Sequence, residues 1–239
     1  MPTLHCSSLD LVSFIKPPQD ILLPDNTVHL WKFPVSETDP SLLSEKEMAL
    51  AERFRQESDR LRFTTGRQML RMLSSQYLSI DPRAIVVYSE RRQKPVISNP
   101  LNHAFHFNIS HSGQWVLIAF ADSELGVDIE EIKISFSFQT IVQDQFSEPE
   151  RNFLLNSPNP LIAFYTLWIR KEALLKAWGT GLKEDLRLIP CLDGVHELTP
   201  TNNSWRLNSF RMEDGYEAAL AYAHQIRTVQ YFDGSNLIV

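Results

Sequence analysis

The sequence of 239 residues holds only two cysteines, Cys6 and Cys191, and they stand far apart. Neither a disulfide framework nor a four-thiolate zinc site can be assembled from them, and a reducing cytoplasm is the compartment that fits. Long apolar runs are also missing. The N-terminus carries Asp10 instead of a basic stretch leading into an apolar one, and the longest apolar candidate, Trp115 to Ala121, is far too short to span a bilayer. The expectation is a soluble, unprocessed chain. Positive charge is not in excess either: the formal net charge is -6, which argues against wholesale binding of nucleic acid or anionic membranes and leaves room for a local basic patch. What is present is core-forming material, 43% hydrophobic with 10% aromatic, enough for one large domain or two small ones.

The first 27 residues, with Pro17, Pro18 and Pro24, read as an irregular lead-in before a strand at Val28–Phe33. Ser44 and Glu47 form a capping-box pattern that starts a helix running to about Phe54, and a second helix is expected from about Ser58 to Leu78. Between residues 53 and 71 stand six arginines (Arg53, Arg55, Arg60, Arg62, Arg67, Arg71) against two acids, Glu57 and Asp59. Arg60, Arg67 and Arg71 fall within about 20° of one another on a helix. The cluster is either a solvated face with weak ion pairs or a phosphate-binding surface, for which the planar guanidinium fork is suited.

Ile85–Glu90 reads as a strand, followed by the basic corner Arg91, Arg92, Gln93, Lys94, Pro95 and then a hairpin built from the stretch His103–Gly113 and the apolar strand Trp115–Ala121. His103, His106 and His111 have no acidic or thiolate neighbour, so zinc is disfavoured on ligand chemistry. His111, between Ser110 and Ser112, is the one placed to orient an anion. In the strand Leu125–Glu130, Asp128 and Glu130 share one face and repel, a repulsion that a basic side chain or a hard cation such as Mg2+ would relieve. Ser147 and Glu150, with Pro149, cap a short helix. Asn159 and Pro160 open a longer one that ends at Gly179 and carries Trp168, Glu172 and Lys176 along one face. Later strands are expected at Leu186–Ile189, Trp205–Met212, Glu217–Ala223 and Val229–Phe232. The order strand, long helix, hairpin occurs twice, at a spacing of roughly a hundred residues. The fold expected is therefore α+β in two similar halves, residues 1–123 and 124–239, with a ligand site where they meet.

Taken together, Lys94-Pro95, the run Phe107–Ser112, the acidic strand Gly126–Glu130 and the segment Trp168–Lys176 resemble the 4'-phosphopantetheinyl transferases, in particular their larger, monomeric Sfp-type group. The resemblance covers about residues 44 to 182. It implies two halves related by pseudo-twofold symmetry with the active site at their interface. It also implies transfer of the phosphopantetheine arm of coenzyme A to a serine hydroxyl of an apo acyl or peptidyl carrier protein, with release of adenosine 3',5'-bisphosphate. Carried over residue by residue, it assigns Asp128, Glu130 and Glu172 to Mg2+ (or Mn2+), with Glu172 also the candidate to accept the serine proton. Lys176 would assist the departing bisphosphate, and Lys171 the pyrophosphate. His111, Ser110, Lys94 and Arg53 would contact the nucleotide and its phosphates. It assigns nothing to Arg60, Arg67 or Arg71.

The sequence departs from the pattern where Gln93 replaces the usual glycine before Lys-Pro, and where Glu47 and Leu50 stand near positions that carry lysines in some members. Arg91 and Arg92 are the candidates to compensate in the grip on coenzyme A. Two other classes compete. One is a non-catalytic module that binds carrier domains through Phe136, Phe138 and Phe146. The other is a metal-dependent hydrolase of nucleotide pyrophosphates.

Overall fold

Both capping boxes read from the sequence exist in the structure, a computed structural model that describes residues 1–88, 94–98, 105–179, 185–198, 203–212 and 215–237. Ser44 accepts from the Glu47 backbone while the Glu47 carboxylate returns to the Ser44 N–H, and Ser147 and Glu150 do the same. Each reciprocal pair satisfies two amide donors that a helix start leaves without a partner, an effect of about 1 kcal/mol. In chain order the helices are α1 (Glu45–Ala51), α2 (Glu57–Leu78), α3 (Gln139–Gln145), α4 (Glu148–Asn156) and α5 (Pro160–Trp178). The strands are β1 (Thr3–Leu11), β2 (Thr27–Pro34), β3 (Val87–Tyr88), β4 (Val96–Ile97), β5 (His106–Ser112), β6 (Trp115–Ala121), β7 (Leu125–Glu131), β8 (Gly194–Glu197), β9 (Trp205–Met212), β10 (Tyr216–Ala223) and β11 (Thr228–Asp233). No helix among the described residues is long and apolar enough to cross a membrane.

The chain forms two compact units. The N-terminal unit, Ser13–Ser123 with Arg227–Val239, holds a four-stranded sheet in the order β11-β2-β6-β5 and the short pair β3-β4. Helix α2 lies on β5 and β6, because Met69, Leu70 and Leu73 recur on its buried face and meet Trp31, Phe107, Ile118 and Phe120. The C-terminal unit, Met1–Val12 with Glu124–Ile226, holds a five-stranded sheet in the order β7-β10-β9-β1-β8. Helix α5 crosses β7, β10 and β9, burying Ala173, Leu174 and Ala177 against Leu207, Ala219 and Ala221. Each unit is thus a sheet carrying one long helix, and the protein is α+β in two similar halves.

The expected division at residue 123 differs from the structure at both ends of the chain. The lead-in contains a strand: β1 pairs parallel with β9, Leu4 opposite Trp205, and antiparallel with β8, so residues 1–12 belong with the C-terminal unit. Reciprocally, β11 pairs parallel with β2, Val229 opposite Val28, and returns the C-terminus to the N-terminal unit. These pairings join residues about two hundred positions apart, which no local pattern reports. Leu186–Ile189 is a single turn of 3-10 helix at Leu186–Leu188 instead of a strand, because the Asp185 carboxylate accepts from the Arg187 N–H and starts a turn. Helix α3 had no counterpart in the sequence reading. Phe146 is fully buried against Phe164, so it belongs to the core and not to an exposed aromatic surface, while Phe136 remains 40% exposed.

Candidate functional site

The acids are positioned by the close approach of α5 to β7. Gly126, Asp128 and Glu130 alternate onto one face of β7. At Gly126 a side chain would lie 2.0 Å from the Ala173 carbonyl oxygen and 2.4 Å from the Ala177 nitrogen, so this face is the one turned to α5. Glycine permits the approach, and two residues on along the same face the Asp128 carboxylate accepts from Lys176 Nζ of α5 at 2.6 Å. Glu172, one turn before Lys176, is half-buried. Burial pushes its carboxyl above the ordinary range; the charge on Asp128 adds to the rise, Lys176 opposes it, and Glu130 contributes a further push. Asp128, Glu130, Glu172 and Lys176 therefore share one electrostatic neighbourhood.

Among the described residues no group of three or more histidine, cysteine, aspartate or glutamate side chains is drawn together closely enough to hold a metal ion by itself. A site for Mg2+ does not require one. That ion is held by one or two carboxylates while keeping waters and substrate phosphate oxygens as its other ligands. A cluster of carboxylates that already raises the pKa of Glu172, with no nitrogen or sulfur donor among them, suits a hard cation.

Lys171 is corrected by the structure. It is fully buried, and its ammonium donates to Glu150 Oε1 at 3.0 Å, to the Leu186 carbonyl at 2.8 Å and to the Ile189 carbonyl at 2.6 Å. All three of its donors are spent inside the protein. One residue along a helix is a turn of about 100°, which carries Lys171 away from the Glu172–Lys176 face and into the contact with α4. Arg170 is likewise buried, bonded to Ser8, Ser209, Asp193 and the Cys191 carbonyl.

A signal that sequence reasoning missed lies across the sheet. Glu217 of β10 is in register with Glu130, so the two carboxylates share a face. Glu217 is buried, its pKa raised by desolvation and pulled back by Arg211, whose Nε donates to it at 3.0 Å. A single acid in the otherwise apolar run Tyr216–Ala223 was the available clue.

In the N-terminal unit the arginines part company. Arg53 is exposed just beyond α1. Arg60 pairs with Glu57, and Arg62 with Asp59 and the Gly113 carbonyl. Arg71 is buried and spent on Glu47 at 2.7 Å and on the carbonyls of Pro82 and Ile85. Arg67 lines a cavity of about 170 Å³, together with Phe63 and Gly66 of α2, Phe107, Asn108, Ile109 and His111 of β5, and Pro95, while Arg60 lines a separate one beside α1. His111 is exposed and on the same strand face as Phe107 and Ile109. Ser110 is 5% exposed and is not among the described residues that line the cavity. Lys94 is half-buried and adjoins Pro95 at the cavity. Arg91 and Arg92 lie outside the described residues.

Residues 124–225 match the profile of the 4'-phosphopantetheinyl transferase superfamily, and residues 31–123 that of the 4'-phosphopantetheinyl transferase N-terminal domain. The chain is 31% identical over 222 residues to the 4'-phosphopantetheinyl transferase HetI of Nostoc sp. (strain PCC 7120), covering 87% of this chain and 92% of the relative. It is 32% identical over 192 residues to the 4'-phosphopantetheinyl transferase Sfp of Bacillus subtilis (strain 168), covering 77% and 84%. A third relative, the 4'-phosphopantetheinyl transferase ffp of Bacillus subtilis, is 35% identical over 191 residues, covering 77% and 83%.

Proposed function

Because the chain belongs to the 4'-phosphopantetheinyl transferase superfamily, we propose that it is the enzyme that moves the phosphopantetheine arm of coenzyme A onto a serine of an apo acyl or peptidyl carrier protein, with Mg2+, releasing adenosine 3',5'-bisphosphate. The observation that carries the reading is the cluster Asp128, Glu130, Glu172 and Lys176 on the facing surfaces of β7 and α5. In the reaction the serine oxygen forms a bond to the phosphorus that bears the pantetheine arm, and the bond from that phosphorus to the bridging pyrophosphate oxygen breaks. The serine proton goes to Glu172, whose raised pKa makes it a better acceptor than an ordinary surface carboxylate.

When bound, Mg2+ would be held by one or two of the carboxylates of Asp128, Glu130 and Glu172 together with waters and substrate phosphate oxygens, and would neutralise charge on the transferred phosphoryl group. Lys176, ion-paired to Asp128 and 29% exposed, has the reach to hydrogen-bond the departing bisphosphate. Lys171 has no direct part; its bonds hold α5 to the turn at Leu186–Ile189 and to α4, fixing the helix that presents Glu172. The roles divide between the units: the C-terminal unit carries the acids, and the N-terminal unit, through His111, Lys94 and Arg53, takes the nucleotide.

Intact-mass spectrometry of an apo carrier protein incubated with this protein, coenzyme A and Mg2+ tests the reading. The expected result is a gain of one phosphopantetheine that EDTA abolishes. No gain on fatty-acid-type and peptide-type carriers alike would overturn it. Coenzyme A consumed in the absence of carrier would favour the hydrolase, and coenzyme A left intact with carrier bound would favour the binding module.

A further inference from the structure

Past the acids of β7, the chain leaves the sheet onto a single side chain. The Ile132 N–H still donates to the Gly215 carbonyl at 2.9 Å, continuing the pairing of β7 with β10. The next amide, that of Lys133, has turned away and donates to the Tyr165 hydroxyl of α5 at 3.2 Å. The chain then folds over the same residue. The Phe136 N–H returns to the Lys133 carbonyl at 3.0 Å, and the Phe136 ring lies 6.1 Å from the Tyr165 ring. Tyr165 is buried, its ring edge-on to that of Phe164. One hydroxyl thus fastens the end of β7 to α5.

Helical geometry puts that hydroxyl in line with the acids. Tyr165 stands seven residues before Glu172, which at 3.6 residues per turn leaves the two within about 20° of one another and ~10 Å apart along α5. Opposite them, Glu130 is on the face of β7 that meets α5, whereas Glu131, the next residue, points to the other face. Burial pushes the Tyr165 phenol above its ordinary range, the Lys133 amide opposes the rise, and the charges on Glu130 and Glu131 add to it. The hydroxyl therefore lies in the field of those carboxylates. A phenol accepts through its oxygen and donates one hydrogen. Lys133 occupies the accepting side, and among the described residues nothing accepts the hydrogen. A hydroxyl dipole orients in the local field, with its positive end toward the anion.

Resting on the transferase reading above, we infer that Tyr165 is a positioning residue of the acid cluster: its oxygen latches the end of β7 to α5 through the Lys133 amide, and its hydrogen orients the Glu130 carboxylate for the cation. Tyr165→Phe deletes the oxygen alone and keeps the ring between Phe136 and Phe164. Three measurements on the full chain test it. Amide hydrogen exchange at Lys133 reads the latch and is expected to speed up in Tyr165→Phe. Electron paramagnetic resonance of Mn2+, titrated without coenzyme A or carrier, reads the orientation. Affinity is expected to fall by about 10- to 100-fold in Tyr165→Phe, the scale on which groups that orient a metal ligand act. The same fall is expected when Glu131→Gln is already present, because Glu131 is on the wrong face. The Mg2+ concentration that half-saturates transfer should rise in step.

Faster exchange at Lys133 with wild-type Mn2+ affinity would leave Tyr165 a structural latch and overturn the inference. An effect that vanishes in Glu131→Gln, or a wild type that takes up no Mn2+, would overturn it as well. A wild type that transfers nothing to any carrier, yet binds Mn2+ and binds it more weakly in Tyr165→Phe, would overturn the transferase reading and leave the role of Tyr165 at the cation site standing.

Discussion

Replacing Gly126 by alanine adds one methyl group where there is no room for it, and what must yield is backbone. The new carbon would stand 2.0 Å from the Ala173 oxygen, 2.4 Å from the Ala177 nitrogen and 2.9 Å from the Lys176 carbonyl carbon. No rotamer change relieves contacts to a helix backbone, so α5 has to retreat from β7 by ~1 Å. Overpacking costs about 1–3 kcal/mol where side chains can adjust, and with none able to adjust, Gly126→Ala is expected at the upper end, about 3 kcal/mol. Glu172 and Lys176 ride on the same turns of α5. A displacement of about 1 Å from productive geometry is enough to cost ~100-fold in rate. The assay pairs urea denaturation, followed by the fluorescence of Trp168 and Trp178 on α5, with transfer measured at a temperature where the variant is folded. Both a lower midpoint and a rate per folded molecule reduced by ~100-fold are expected. A variant with wild-type midpoint and rate would refute the packing argument; a lower midpoint with an unchanged rate would separate the packing of α5 on β7 from the chemistry.

Other outcomes follow from the same structure. Asp128→Asn and Glu172→Gln should each lower kcat by about 100-fold or more, the scale on which charge-stabilising or proton-transferring groups act, while a circular-dichroism melt shows the fold retained; full activity in either would remove that residue from the site. Lys171→Met leaves Glu150, 2% exposed at its side chain, as an uncompensated buried charge, a loss of about 3–5 kcal/mol. Adding Glu150→Gln should recover much of it, and a double-mutant cycle with no coupling would contradict the buried pair. His29 is buried beside Tyr77, its pKa pushed down from 6.5 to about 4 by desolvation. The unfolded chain therefore takes up a proton near pH 6.5 that the folded one refuses until about pH 4, so stability present above 6.5 is lost as pH falls through that window, on the order of 2 kcal/mol. Urea midpoints measured from pH 7 to 4 should show a decline that His29→Phe flattens; parallel curves would refute it.

Local chemistry was legible in the residues themselves. Ser44 with Glu47 and Ser147 with Glu150 start helices because their side chains answer nearby amides, and Gly179 ends α5 because at φ +71° a glycine is the residue that sits without strain. The alternation in Leu125–Glu131 put Asp128 and Glu130 on one face for the same reason. Helical spacing also put Glu172 and Lys176 together. None of this needs knowledge of what lies opposite.

Tertiary structure decided what lay opposite. Spacing says which residues share a face, but not whether that face meets solvent, a carboxylate or a run of carbonyl oxygens. So Lys171 and Lys176, five residues apart, went to a buried pair and to the candidate site respectively. Arg67 and Arg71, one turn apart on α2, became a guanidinium at a cavity with one buried nitrogen that no described residue bonds, and a guanidinium bonded to a carboxylate and two carbonyls. The strands at the two chain ends exist because distant partners pair with them, β1 with β8 and β9 and β11 with β2. A ladder of hydrogen bonds is a property of two segments, and a pattern read along one segment cannot contain the other.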